Sequence, residues 1–261
     1  MIAEHNPMSD AQPVFPKAVL FDAYGTLFDV HAVVAAAEQM FPGRGEALSQ
    51  LWRRKQLEYS QLRTLADPGG GRYKPFWELT LDALRFAARA LGLTLAAVAE
   101  KRLMDEYACL STYPDTVPTL RALRARTSPP KLAILSNGNP QMLDIAIKSA
   151  GMSGLFDRVL SVDAVRAYKP SPAAYALGTA AFGAMPADIV FVSSNGWDAA
   201  GAGWFGYRTF WLNRAGAPAE ELGLPSAGTG AGMADLLAFI DTLTAAPKPA
   251  SRARAAPGDA A

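Results

Sequence analysis

Lys17-Ala-Val-Leu-Phe-Asp22, followed by Ala23-Tyr24-Gly25-Thr26, is a short apolar run that ends on an acid and breaks into a turn. A run this short and continuous fits a strand buried on both faces, as in a parallel sheet. The pattern recurs. Lys131-Leu-Ala-Ile-Leu-Ser136 runs into Asn137-Gly138-Asn139-Pro140, and Ile189-Val-Phe-Val-Ser193 runs into Ser194-Asn195-Gly196. Weaker runs are Arg158-Val-Leu-Ser-Val162 and Tyr207-Arg-Thr-Phe-Trp-Leu212. Helical spacing fills the gaps: Asp115 to about Arg126, with Asp115 as N-cap; Gln141 to Ala150, closed by Gly151; Pro172 to Phe182; and Asp198 to Phe205. Strands alternating with helices predict a doubly wound α/β fold with a parallel sheet. In such sheets reactive groups gather beyond the carboxyl ends of the strands, where Asp22, Ser136 and Ser193 all stand.

Between the first strand and Asp115 no convincing strand appears. Val33 to Met40, Glu46 to Leu65, Phe76 to Leu91 and Leu95 to Cys109 read as amphipathic helices, broken by Pro42-Gly43 and Asp67-Pro-Gly-Gly-Gly71. Residues 32–110 are therefore expected to form a helical cap inserted into a Rossmann-like core of residues 16–31 and 111–244. A flexible leader is expected over 1–15, and a flexible tail over 245–261, where Ala, Pro and Arg recur without periodicity.

The chain has 261 residues, half of them apolar, and 25 basic against 24 acidic side chains. That balance leaves no electrostatic footprint for a nucleic acid. The single Cys109 precludes an internal disulfide, and two histidines cannot build a histidine-rich metal site. The first residues lack an apolar h-region and no run is long enough to span a membrane, so a cytoplasmic protein is expected.

An acid placed rigidly at the mouth of a buried strand can act as a nucleophile, although an isolated Asp more often braces a turn. Asp22-x-x-Gly25-Thr26 does not stand alone. Together with Ser136-Asn137-Gly138, Lys169-Pro170 and Phe191-Val-Ser193 leading to Asp198, it resembles the four motifs of the haloacid dehalogenase superfamily, in order. Most of that superfamily is phosphatases, which carry a second Asp two residues after the nucleophile. Here Tyr24 holds that position, and the fourth motif has one acid, at its far end, a thin set for a hard dication. Phe21-Asp-Ala-Tyr-Gly-Thr-Leu-Phe-Asp-Val30, Phe41-Pro-Gly-Arg-Gly45, Leu51-Trp-Arg-Arg-Lys-Gln-Leu-Glu-Tyr59, Ala133-Ile-Leu-Ser-Asn-Gly138, Tyr168-Lys-Pro170 and Phe191-Val-Ser-Ser-Asn-Gly-Trp-Asp198 resemble the type II L-2-haloacid dehalogenases. The Asp67–Gly71 loop looks longer than usual for that branch, and Gly196 stands where Ala is common.

The resemblance implies hydrolysis of short-chain L-2-haloacids to D-2-hydroxyacids through an ester on Asp22, with no cofactor and no metal. Asp198 is then the base for the hydrolytic water, with Ser193 and Lys169 positioning both acids; Asp198 also reads as a helix N-cap, and Lys169 otherwise as a surface lysine. A cation between two carboxylates is expected to lower the pKa of both. Thr26 and Ser136 would anchor the nucleophile and the substrate carboxylate. Arg53 and Asn137 would receive the halide, although Arg53 also fits a solvated charge run. Ala23, Tyr24, Phe76 and Trp197 would line the substrate, Asn195 would shape the fourth loop, and Tyr175 would reach a carboxylate. The expected partner is a small 2-haloacid, with a homodimer as family habit. The alternatives are a Mg²⁺-dependent phosphatase on the same fold and a non-catalytic binding protein.

Overall fold

The computed structural model describes residues 16–245. The expected leader, and all of the expected tail except Ala245, lie outside the described residues. Six strands form one parallel sheet: β1 (Ala18–Phe21), β2 (Lys131–Ser136), β3 (Arg158–Ser161), β4 (Ile189–Ser193), β5 (Arg208–Leu212) and β6 (Gly228–Gly230), in the order β3-β2-β1-β4-β5-β6. The chain winds outward from β1 through β2 to β3, then returns to the other side of β1 and continues through β4. This is the doubly wound arrangement that the alternation of strands and helices predicts. Its switch point lies between β1 and β4, so the crevice opens beyond Phe21 and Val192, which sit opposite each other.

Successive side chains of a strand point to opposite faces. Val19, Phe21, Leu132, Ile134, Val190 and Val192 enter one buried cluster. Ala18, Leu20, Ala133, Leu135, Ile189 and Phe191 enter a second cluster behind the sheet. Both faces are dry, which is why Ala18 to Phe21, Leu132 to Leu135 and Ile189 to Val192 are apolar without interruption. Helices cover them: α5 (Thr116–Arg124), α6 (Pro140–Ser149) and α9 (Met233–Ala245) supply the first cluster, α7 (Pro172–Phe182) and α8 (Gly196–Phe205) the second.

Four further helices lie between β1 and α5: α1 (Val33–Met40), α2 (Gly45–Ala66), α3 (Phe76–Ala90) and α4 (Ala97–Ala108). In α3, Leu79, Ala83 and Ala87 recur at four-residue spacing and are buried, and α2 packs along it. The Trp52 indole N–H of α2 donates to the Thr80 carbonyl at 2.7 Å, fixing one helix against the other.

Three local expectations are corrected. Asp115 occupies the residue before α5, yet its side chain does not cap that helix. It pairs instead with Arg214 at 2.8 Å and accepts the Met233 N–H at 2.9 Å, so it caps α9. Helix α8 begins at Gly196, two residues earlier than its apolar pattern suggests, with Asn195 in the cap position and Asp198 inside the first turn. Finally, β3 ends at Ser161, because its hydroxyl accepts the Asp163 N–H and turns the chain into a short 3₁₀ segment. By contrast, α6 ends as expected: Gly151 takes a φ of +65°, where a side chain would be strained.

Candidate active site

Asp22 follows β1 directly, its N–H bonded to the Val192 carbonyl of β4 at 2.9 Å. The turn after it is tight because Gly25 adopts a φ of +94°, open to glycine at little cost. Ala23 is buried inside that turn, and its carbonyl accepts the N–H groups of Leu27 and Phe28. The Asp22 carboxylate is held on both oxygens. Oδ2 accepts the Thr26 hydroxyl at 3.0 Å and the Asn195 amide at 2.9 Å, while Oδ1 accepts the Lys169 ammonium at 3.1 Å. Asn195 thus does more than shape its loop: it grips the first acid.

Lys169 is 1% exposed and reaches across the crevice to Asp198 Oδ2 at 2.9 Å. Its backbone N–H donates to Asn137 Oδ1 at 3.0 Å, so the turn after β2 sets where the lysine segment lies. Asp198 is fully buried and also accepts the Ser193 hydroxyl at 3.0 Å and the Tyr175 hydroxyl at 2.8 Å. Ser193 therefore touches Asp198 and not both acids; the hold on Asp22 comes from Thr26, Asn195 and Lys169.

The electrostatics correct one expectation. Burial raises the Asp198 carboxyl above its ordinary range, and Lys169, which opposes that rise, does not cancel it. Burial also works to lower the Lys169 ammonium, but the fields and hydrogen bonds of Asp198 and Asp22 together outweigh it, and Lys169 is raised. The lysine stays a cation.

Arg53 projects from α2 to the mouth of this site. One guanidinium nitrogen donates to the Tyr24 carbonyl at 3.2 Å and the other to Gln56 Oε1 at 2.6 Å. Gln56 is fully buried, and its amide donates to Thr80 Oγ1 at 2.6 Å. The sequence reading missed Gln56. A polar residue three positions after Arg53, with Leu48 and Trp52 also turned inward on α2, was the available signal.

Tyr24 and Phe76 are buried against each other, ring centroids 6.1 Å apart, and Tyr107 stacks on Tyr24. The Tyr24 hydroxyl is buried without a partner among the described residues. Burial, then the field of Tyr107, push that phenol well above its ordinary pKa. Ser136 is buried, and its hydroxyl accepts the Gly138 N–H at 3.0 Å. Tyr175 contacts Asp198 from behind, within the second core cluster. Trp197 is half-buried and stands on the wall of a cleft between α2 and the core.

The arrangement joins a rigid carboxylate, a buried cation shared by two acids, a second acid of raised pKa and a cap arginine. It can attack an electrophilic carbon and then direct water at the resulting ester.

A family model described as haloacid dehalogenase-like hydrolase matches residues 16–206. An (S)-2-haloacid dehalogenase of Pseudomonas sp. (strain YL) is 49% identical over 207 residues, 79% of this chain and 87% of that protein. The solved structure of the L-2-haloacid dehalogenase RSc1362 superposes with a TM-score of 0.84 at 62% identity, covering 86% of this chain and 98% of that one. The L-2-haloacid dehalogenase of Xanthobacter autotrophicus, solved with chloropropionic acid covalently bound, gives 0.78 at 39% identity, with 87% and 98% covered.

Proposed function

The chain belongs to the haloacid dehalogenase-like hydrolases, and from that premise we propose that it hydrolyses L-2-haloacids to D-2-hydroxyacids through an ester on Asp22. The observation that carries this reading is the asymmetric hold on the Asp22 carboxylate. Oδ2 has two neutral donors, Thr26 and Asn195, while Oδ1 has Lys169 alone. Attack on the α-carbon through Oδ1 forms the C–O bond as the C–halogen bond breaks with its electron pair. The crevice supports that step by stripping water from the nucleophile.

Oδ2 is then the ester carbonyl oxygen, already lying against Thr26 and Asn195. As water adds to the Asp22 carboxyl carbon, negative charge grows on Oδ2, where these donors stabilise it. Asp198, held in place by Ser193, Tyr175 and Lys169, takes the proton from that water, and burial, which raises its carboxyl, makes it a stronger base than an ordinary aspartate. Collapse expels the hydroxyacid and restores Asp22. Arg53 receives the halide together with Asn137, while Ser136 and the backbone N–H groups of its turn hold the substrate carboxylate. Ala23, Tyr24, Phe76 and Trp197 line the substrate, and Ser193 and Tyr175 fix Asp198.

Residues 32–110 serve as the cap and residues 16–31 with 111–244 as the core. A cytoplasmic location, supported by the exposed free thiol of Cys109, and a homodimer, supported by the amphipathic cap helices, complete the reading. No helix among the described residues is long and apolar enough to cross a membrane.

One turnover in ¹⁸O water with enzyme in excess tests the mechanism. The label is expected in the peptide containing Asp22 and not in the product, and the hydroxyacid is expected with inverted configuration. Labelled hydroxyacid with an unlabelled Asp22 peptide would show instead that water attacks the α-carbon directly.

A further inference from the structure

Gln56, Thr80 and Tyr107 bring polar groups into the packing of α2, α3 and α4, where Leu48, Leu79, Ala83 and Leu103 are also buried. Apolar side chains could fill the same space without the cost of desolvating an amide and two hydroxyls. Their hydrogen bonds show what they hold. The Thr80 hydroxyl has one proton, which it donates to the Phe76 carbonyl at 2.7 Å, so toward Gln56 its oxygen can only accept. The Gln56 amide N–H donates to that oxygen at 2.6 Å, which turns Gln56 Oε1 toward Arg53, whose guanidinium donates to it at 2.6 Å. A flipped amide would set N–H against guanidinium N–H. The Tyr107 hydroxyl lies 3.0 and 3.1 Å from the two ends of the amide and suits either orientation. Thr80 decides the polarity.

Arg53 is thus held by Gln56 Oε1 and by the Tyr24 carbonyl. Both acceptors are neutral. They fix the guanidinium without cancelling its charge, unlike the carboxylates that pair with Arg85, Arg124 and Arg214. A cation stabilises a departing anion best when it is in place before the charge develops and its field is not already spent on another anion. We propose that Gln56 and Thr80 are positioning residues for carbon–halogen cleavage. Thr80 sets which end of the Gln56 amide faces Arg53, and the amide oxygen holds the guanidinium where the halide leaves. This inference rests on the dehalogenase reading and deepens it.

The test compares kcat/KM for L-2-chloropropionate and L-2-bromopropionate, a quantity that covers the steps up to halide departure. Chloride is the poorer leaving group and depends more on the cation. The ratio of the two values also does not change with the fraction of enzyme that folds. Thr80→Val keeps the shape of the side chain and removes the acceptor, which frees the Gln56 amide to turn; Gln56→Met removes the acceptor of Arg53. Each is expected to lower kcat/KM for the chloro acid by about 10- to 100-fold, the scale of a ~1 Å misplacement, and for the bromo acid by less, so that the bromo-to-chloro ratio rises. Thr80→Ser keeps both hydrogen bonds and is expected to retain the parent ratio. Inhibition by free bromide should weaken in Thr80→Val and Gln56→Met and hold in Thr80→Ser. An unchanged ratio in either variant that folds, whatever the fall in rate, reduces the pair to packing and overturns the proposal. A ratio that rises as far in Thr80→Ser overturns it as well. If Gln56→Met does not fold, the two Thr80 variants decide. No halide release from either acid in the parent enzyme refutes the dehalogenase reading instead. Calorimetric binding of bromide that weakens in Thr80→Val then still supports a held cation at an anion site, and equal binding overturns it.

Discussion

Asp198 accepts three side-chain hydrogen bonds while fully buried, and the balance among them sets when it can act as a base. Burial raises its pKa, and the ammonium of Lys169 and the hydroxyl of Tyr175 pull it down. The carboxylate must be deprotonated to take a proton from water, so hydrolysis falls as pH drops through that raised value. The acid limb of kcat is therefore expected above the ~3.9 of an ordinary aspartate. Tyr175→Phe removes one of the groups that lower the pKa, so the limb should move to higher pH; a limb that stays put would exclude Asp198 as the titrating base. Asp198→Asn should form the ester but fail to cleave it, which intact-mass measurement would detect as substrate retained on the Asp22 peptide.

At the scale of elements, the sheet edge and the last helix depend on a residue from elsewhere. Asp115, at the start of α5, bonds both terminal nitrogens of Arg214, at 3.0 and 2.8 Å, and accepts the first N–H of α9. Arg214 lies over the Tyr113 ring at 4.1 Å. Removing Asp115 leaves that guanidinium and the helix start without their acceptor, so Asp115→Ala should cost about 1–3 kcal/mol of stability. Burial works to raise the Asp115 carboxyl, yet the hydrogen bonds from Arg214 and Met233 outweigh it, and the pKa is lowered. A depressed folded-state pKa gives stability that is present above the unfolded value, ~3.9 for Asp, and lost as pH falls through the folded one. Thermal melts should accordingly show the full deficit of Asp115→Ala at pH 7 and a shrinking deficit below about pH 4. A deficit independent of pH would mean that lost packing, not the charge, is responsible.

Across the whole molecule, the charge balance of the site exists only once three distant segments meet. Asp22 comes from the end of β1, Lys169 from the loop before α7 and Asp198 from the first turn of α8. The ammonium stands 3.1 and 2.9 Å from the two carboxylates, and Tyr24 holds the position two residues after Asp22. Among the described residues no cluster of three or more His, Cys, Asp or Glu is arranged to hold a metal ion. Halide release should survive exhaustive treatment with EDTA; loss of turnover that Mg²⁺ restores would return the protein to the phosphatase alternative.

The strands and most helices were legible in the chain because their cause is local. A strand buried on both faces must be apolar throughout, as Val19 to Phe21, Leu132 to Leu135 and Ile189 to Val192 are. The strand β6 was not legible: Gly228-Thr229-Gly230 has no apolar period, and it pairs only because β5 already presents an edge. The period of Met233, Leu236 and Ile240 in α9 was readable but went unassigned. The strand pattern also places Asp22, Ser136 and Ser193 at strand ends, which a doubly wound sheet gathers at one crevice. What tertiary structure alone decided is the sign of each perturbation and the identity of each partner. Asp198 is raised rather than lowered because its desolvation comes from the packed sheet and helices around it, which no spacing encodes. Asn195 grips Asp22, Gln56 braces Arg53, and Asp115 serves α9 for the same reason: a hydrogen bond is set by distances of about 3 Å between segments that the sequence keeps far apart.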